Sequence, residues 1–257
     1  MALSDEQKRH FDENGYIIVR NLLTDEEVHA VGKRADQIAV GEVVPEPGFG
    51  RQVEPAIQRK EVEAKSTLES VRKLGGLVRT DPVMHAHATN PKILDVLEDL
   101  IGPDIKLYGD QLFMKSSAHG SRKNYHQDSN SWRPYVPYSL VSCWAALDDA
   151  TVENGCLWFI PGSHKWGLLD VEREREIEKK ALAGPLENEV PIELKAGDCS
   201  FHHSLTLHCS HTNRSKTRRR GYATHYMSSK TKYTGEGAAT KSNNHLLLRG
   251  QEYPGCV

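Results

Sequence analysis

Residues 139–161 read SLVSCWAALDDATVENGCLWFIP. Two apolar runs, residues 139–147 and 156–161, flank a polar stretch that ends in Glu153-Asn154-Gly155. Each run is too short for a typical helix, and the punctuation between them is that of a tight turn, so both are expected as strands. Working outward, the same texture recurs at residues 105–115, 190–194, 199–203 and 220–227, with Pro161-Gly162 and Gly197-Asp198 as further turn signals. Many short strands separated by turns predict a mainly β protein with flanking helices, its core an antiparallel barrel or jelly roll.

The first hundred residues differ. Ser4 is placed to cap a helix that Gly15 ends, Tyr16-Ile17-Ile18-Val19 is a strand, and Thr24 with Glu27 forms a capping box for a second helix. Three prolines and three glycines make residues 41–57 irregular, and helical patterns resume at 60–74 and 91–102. Residues 172–180, EREREIEKK, read as a solvated helix in an insertion. With no repeat or linker, residues 1–257 are expected to form one domain: a mostly helical part at 1–104, a β core at 105–228 and a tail at 229–257, either a surface arm or a lid.

A net charge of −2 excludes a global pull toward nucleic acid or anionic membrane, and no apolar stretch is long enough to span a bilayer. The charged N-terminus is unlike a signal peptide. Five cysteines, an odd count without a C-x-x-C pair, suit a reducing interior and a cytoplasmic location, and argue against a disulfide framework or cysteine-ligated zinc.

Chemistry is concentrated in Tyr125-His126-Gln127-Asp128. Side chains two apart in an extended segment share a face, so His126 and Asp128 can converge on one ion. A second imidazole would complete the two-histidine, one-carboxylate set that holds iron(II) and leaves adjacent positions open. Residues 197–211 offer His202, His203, His208 and His211, and composition does not choose among them.

Several motifs resemble, in order, those of the phytanoyl-CoA dioxygenase family of iron(II)- and 2-oxoglutarate-dependent oxygenases. They are Phe11-x-x-x-Gly15-Tyr16-Ile17, His126-x-Asp128, Trp144 to Asp149, Glu153-Asn154-Gly155-Cys-Leu157, Ile160-Pro161-Gly162-Ser163-His164, and Gly197-Asp198 followed by His208-x-Ser210-x-x-Asn213-x-Ser215. The resemblance implies a double-stranded β-helix (jelly-roll, cupin-like) core, with iron(II), 2-oxoglutarate and O2 as cofactors. It also implies metal ligation by His126, Asp128 and His208. An arginine eleven residues after the distal ligand, Arg219, is implied to anchor the far carboxylate of 2-oxoglutarate. Its planar, permanently charged fork suits that task. Arg218 and Arg220 have the opposite strand parity and are expected outward, as a solvated patch.

The resemblance further implies that Trp144 packs against the cosubstrate and that Lys73, from the helical region, contacts it. Ser210 and Ser215 are candidates for its carboxylate or for turn backbone, and Asn213 for the turn itself. Gln111 and Lys115 share a strand parity that can face the barrel interior. His164 is expected to stabilise a loop, and His202 and His203 to be packed or hydrogen-bonded; His119, His211, His225 and His245 have no assigned partner. Asp148 and Asp149 should point to opposite faces, and Gln127 away from the metal pair. The reaction implied is hydroxylation of an unactivated C–H bond of a small molecule, with release of succinate and carbon dioxide. A carboxylate at Asp128, where related halogenases carry a small residue, favours an oxygenase outcome. A zinc hydrolase or isomerase on the same ligands, and a low-turnover sensor, are the alternatives. The partner expected is a small-molecule substrate, with neither nucleic acid nor membrane.

Overall fold

The computed structural model describes residues 2–46, 48–117, 120–236 and 245–257. Its first elements form where the local signals put them. Ser4 accepts from the Gln7 backbone while the Gln7 side chain returns to the Ser4 amide, opening α1 (Asp5–Asn14), and Gly15 closes it at φ 79°. β1 (Tyr16–Val19) follows, and the Thr24–Glu27 capping box opens α2 (Asp25–Val40).

The next stretch departs from expectation. Residues 41–57 hold β2 (Gly50–Val53) and the start of α3 (Pro55–Gln58), and the pattern at 60–74 gives only a helical turn, α4 (Thr67–Ser70), before becoming β3 (Val71–Gly75). The reason is non-local: Lys73, Leu74 and Gly75 pair with Phe113, Leu112 and Gln111, and Val71 and Leu74 are fully buried. Helices α5 (Pro82–Ala88) and α6 (Pro91–Ile101) complete this part.

Then come β4 (Ile105–Lys115), β5 (Lys123–His126), β6 (Tyr135–Val136), β7 (Val141–Ala146) and β8 (Leu157–Phe159). After α7 (Val171–Ala183) follow β9 (Val190–Ile192), β10 (Cys199–His203), β11 (His208–Ser210), β12 (Arg219–Ser228), β13 (Lys232–Tyr233) and β14 (Leu246–Arg249).

An eight-stranded antiparallel sheet runs β1-β10-β7-β12-β4-β3-β2, with β14 also on β4; a four-stranded sheet runs β5-β11-β8-β9. Between them lies a cavity lined from both sheets, the arrangement of a jelly roll. Strand alternation splits the large sheet into two faces. Tyr222 and Tyr226 of β12, with Phe201 and Leu112, pack in one core with Val31, Ile38, Ile93 and Leu97 of the helices, whereas Arg219, Ala223 and His225 line the cavity.

Two further expectations change. Arg218 and Arg220 are not a solvated patch: Arg218 Nη2 lies 2.6 Å from Asp36, and Arg220 bonds both Asp148 (2.7 Å) and Asp36 (3.2 Å), tying α2 to the barrel. Asp149 pairs instead with Lys195, so the two aspartates do diverge. The tail is not a free arm in its described parts. β14 adds to the main sheet, and the buried Val257 carbonyl accepts from Lys106 Nζ at 2.6 Å; residues 237–244 lie outside the described residues.

Candidate metal and cosubstrate site

His126 ends β5 and sits opposite His208 of β11 in register, while Asp128 starts a single 3-10 turn, Asp128–Asn130. One ligand atom from each lies within 4.8 Å of the others. Asp128 Oδ1 is 3.6 Å from His126 Nε2 and 3.9 Å from His208 Nε2. The ring tautomers follow from the backbone. His126 Nδ1 faces the Asn124 carbonyl at 2.8 Å and His208 Nδ1 the Thr206 carbonyl at 2.9 Å. A carbonyl only accepts, so each Nδ1 carries the proton and each Nε2 turns a bare lone pair toward the cluster. The other carboxylate oxygen, Oδ2, accepts from Ser142 Oγ at 2.9 Å and lies 3.5 Å from His202 Nε2, which leaves Oδ1 for an ion.

Electrostatics agree with this division. Burial works to raise the Asp128 carboxyl, but the surrounding imidazoles, His208 first, hold it well below the usual carboxylate range. Burial pushes His208 far down, with His126 adding to the effect, and His126 is lowered by burial and Lys123. Two neutral imidazoles and one carboxylate form a donor set suited to a divalent first-row metal.

At the other end of the cavity Arg219 is 2% exposed and donates from Nη2 to the Gly155 carbonyl at 2.7 Å, yet its Nε has no partner among the described residues. No carboxylate lies within ion-pair distance of it among those residues. Burial lowers it to about 10, so it stays charged at neutral pH. Its guanidinium lies over Trp144, 5.1 Å from the ring centroid. Gly221 permits this stack, because a Cβ there would fall 1.8 Å from the Trp144 ring. Lys115, across the ladder from Arg219, donates to Ser210 Oγ at 3.0 Å and to the His211 carbonyl. Burial, then Arg219 and Arg72, pull its ammonium down to about 6. A buried guanidinium without an acid partner is costly to keep unless an anion joins it, and an anion arriving beside Lys115 would favour the protonated form of that amine. A dicarboxylate fits that need.

Gln111 and Lys73 also line the cavity and bond each other, Nζ to Oε1 at 3.0 Å, with Lys73 on strand β3 and not on a helix. Ser210 faces the cavity, while Ser215 and Asn213 hold the turn before β12. Gln127 is fully buried away from the ligands, bridging Gly167, Leu205 and Leu169. His164 reaches the Asp12 carbonyl, stabilising a loop. His203 packs against Phe11, and its Nδ1 accepts from the Leu205 amide at 3.1 Å. His211 packs edge-on against Trp158, His245 bonds Tyr135, and His119 lies outside the described residues.

Three groups at the site were not legible as such. Ser142 is the cross-strand partner of both His202 and His225 and holds Asp128, a role visible only once the ladder is known. His225 shares strand parity with Arg219, which is the signal that would have found it. The third is α7. Read as solvated, it presents Glu174 to the Gln127 amide at 2.8 Å and Glu178 to the Tyr125 amide at 2.9 Å, gripping the ligand-bearing strand from outside.

The family model for phytanoyl-CoA dioxygenase (PhyH) matches residues 11–221. A probable phytanoyl-CoA dioxygenase of Caenorhabditis elegans is 30% identical over 238 residues, covering 87% of this chain and 75% of the relative. The peroxisomal phytanoyl-CoA dioxygenase of Rattus norvegicus is 28% identical over 253 residues, covering 94% and 73%. Among solved structures, the epimerase SnoN from nogalamycin biosynthesis superposes with a TM-score of 0.73 at 22% identity, covering 96% of each chain. EctD from S. alaskensis, bound to 2-oxoglutarate and 5-hydroxyectoine, gives 0.73 at 21%, covering 99% of this chain and 86% of that one. These last two likenesses concern the fold. From the family match, and from a fold that brings the His126, Asp128 and His208 side chains together, the chain belongs to the phytanoyl-CoA dioxygenase family of 2-oxoglutarate-dependent oxygenases.

Proposed function

We propose that the protein binds iron(II) through His126 Nε2, Asp128 Oδ1 and His208 Nε2, binds 2-oxoglutarate with its far carboxylate on Arg219, and hydroxylates an unactivated C–H bond of a small molecule. The observation that carries this reading is the pairing of a nitrogen–nitrogen–oxygen ligand cluster with a buried, acid-free arginine in one cavity of about 270 Å³. When bound, the metal and cosubstrate supply oxygen activation, with 2-oxoglutarate leaving as succinate and carbon dioxide.

The chain's own residues do the rest. Asn124 and Thr206 carbonyls fix the imidazole tautomers, and Ser142 keeps Asp128 turned so that one oxygen serves the metal. Arg219 and Lys115 neutralise the cosubstrate dianion, Trp144 presents a flat apolar wall beneath the guanidinium, and Ser210, Gln111 and Lys73 offer further polar contacts. A hydrolytic zinc enzyme has no use for a buried arginine at this place, which counts against that alternative. Five free cysteines, four of them buried, suit a reducing compartment such as the cytoplasm.

Anaerobic addition of iron(II) and 2-oxoglutarate is expected to produce the weak visible charge-transfer band of the chelate, and aerobic incubation to produce succinate. Confirmed metal occupancy without a band would overturn the proposal.

A further inference from the structure

His225 has no part in holding metal or cosubstrate in the scheme above, yet it lines the same cavity and is 5% exposed. Its Nδ1 lies 2.7 Å from Ser142 Oγ, and that hydroxyl lies 2.9 Å from Asp128 Oδ2. The polarity of this chain is determined by counting hydrogens. Ser142 has one hydroxyl hydrogen, and an ionised carboxylate can only accept, so the hydrogen goes to Asp128. Ser142 Oγ must therefore accept from His225, which places the ring proton on Nδ1. Nε2 is left as a bare lone pair, buried and without a partner among the described residues. Trp132 flanks the ring edge-on at 4.8 Å, so the imidazole is held in a fixed plane.

We infer that His225 Nε2 is the substrate-orienting acceptor of this cavity, and that the substrate presents a neutral hydrogen-bond donor, a hydroxyl or an amide N–H, to it. The inference rests on the oxygenase reading and adds the chemical class of the substrate's inner end. A neutral donor is favoured over an ammonium because Arg72, Lys73 and Lys123 line the same space and none makes an ion pair among the described residues. The cavity carboxylate outside the metal cluster, Glu54, acts electrostatically on Lys115 at the cosubstrate end. A cation placed at His225 would meet that positive lining, and the nearby carboxylate that could offset it, Asp128, is committed to the metal cluster and Ser142. At about 270 Å³ the cavity, once it holds the cosubstrate, admits only a compact part of the substrate. The acceptor is also wired to the metal ligand, since substrate donor, His225, Ser142 and Asp128 form one continuous line of hydrogen bonds.

The test uses protein loaded with zinc and 2-oxoglutarate, with histidine labelled by ¹⁵N, and reads the His225 ring nitrogens by NMR, assigned by their loss in His225→Gln. A protonated Nδ1 and a bare Nε2 are expected. Cyclohexanol should shift Nε2 and bind about tenfold more tightly than cyclohexanone, which matches it in size but has no donor, and than cyclohexylammonium. His225→Leu should erase the preference for cyclohexanol, and His225→Gln, which keeps an acceptor, should restore most of it. A protonated Nε2, equal binding of cyclohexanol and cyclohexanone, or no response to cyclohexanol would each overturn the inference. The anaerobic iron(II)/2-oxoglutarate band separates the two levels. Its absence in the wild type defeats the oxygenase reading itself; its presence in wild type and both variants, with no donor preference, defeats this inference alone.

Discussion

His126 and His208 face each other across one pair of strands, but they are held by different means. β11 lies inside its sheet, paired with β5 on one side and β8 on the other, so the ladder alone positions His208. β5 is the last strand of that sheet. Its outer edge would leave backbone donors open, and the carboxylates of Glu174 and Glu178 on α7 take the amides of Gln127 and Tyr125. Glu178 also binds Arg122 at 3.0 Å. Interior strands thus fix site residues by parity and register, whereas the edge strand needs a helix from outside. The same contrast covers the cosubstrate end, where Arg219, Lys115 and Trp144 all project from interior strands.

The hardest test of that contrast removes the ligands themselves. His126→Ala and His208→Ala should each abolish the iron(II)/2-oxoglutarate band, because a metal does not distinguish how its ligands are supported. A band surviving in either variant would remove that histidine from the ligand set.

Next in size is Arg219→Ala, which should weaken 2-oxoglutarate about 10- to 100-fold by isothermal titration while metal affinity changes little. An equal loss of metal would mean that Arg219 supports the fold and not the cosubstrate.

The edge brace should matter less. Replacing Glu174 and Glu178 together by alanine should cost about tenfold in metal affinity and speed amide exchange at residues 123–127, leaving β11 protected. Equal exchange on both strands would erase the distinction between the edge strand and the interior one.

The smallest effect concerns pH. Lys115 is pushed down to about 6 by burial and by Arg219 and Arg72, and an arriving dianion favours its protonated form. Above pH 6 the cosubstrate must therefore bring a proton with it, so affinity should decline as pH rises from there; Lys115→Met should flatten the profile. For folding the sign is opposite in sense. The unfolded lysine keeps its proton up to its ordinary value, the folded one releases it near 6, and so its contribution to stability rises with pH between those limits. A flat binding profile in the wild type would show that Lys115 is charged before the cosubstrate arrives.

What could be read from sequence depended on the range of the interactions. Ser4 with Gln7 and Thr24 with Glu27 are contacts within one helical turn, and both caps formed as expected. Gln111 and Lys115 followed from strand parity and Arg219 from the family resemblance, and all three face the cavity. The strand at Val71–Gly75 did not, because Val-Arg-Lys-Leu-Gly carries no alternation and is extended only by its pairing with β2 and β4. Arg218 and Arg220 looked solvated because Asp36 and Asp148, which bind them, come from distant parts of the chain. EREREIEKK looked solvated for the same reason. Its periodicity describes charge on a helix surface but not that two of those carboxylates meet strand amides.

One pairing bears on how the protein is made. Tyr16 of β1 aligns with His202 of β10, and Ile17 with Phe201. β1 leaves the ribosome before its partner, which follows roughly 190 residues later, a delay of about ten to forty seconds at ordinary rates of synthesis. During that interval Ile17 and Val19, both destined for the core, have no sheet to join. Nascent chains of this protein should therefore be clients of holding chaperones until β10 emerges, with the barrel closing only after that.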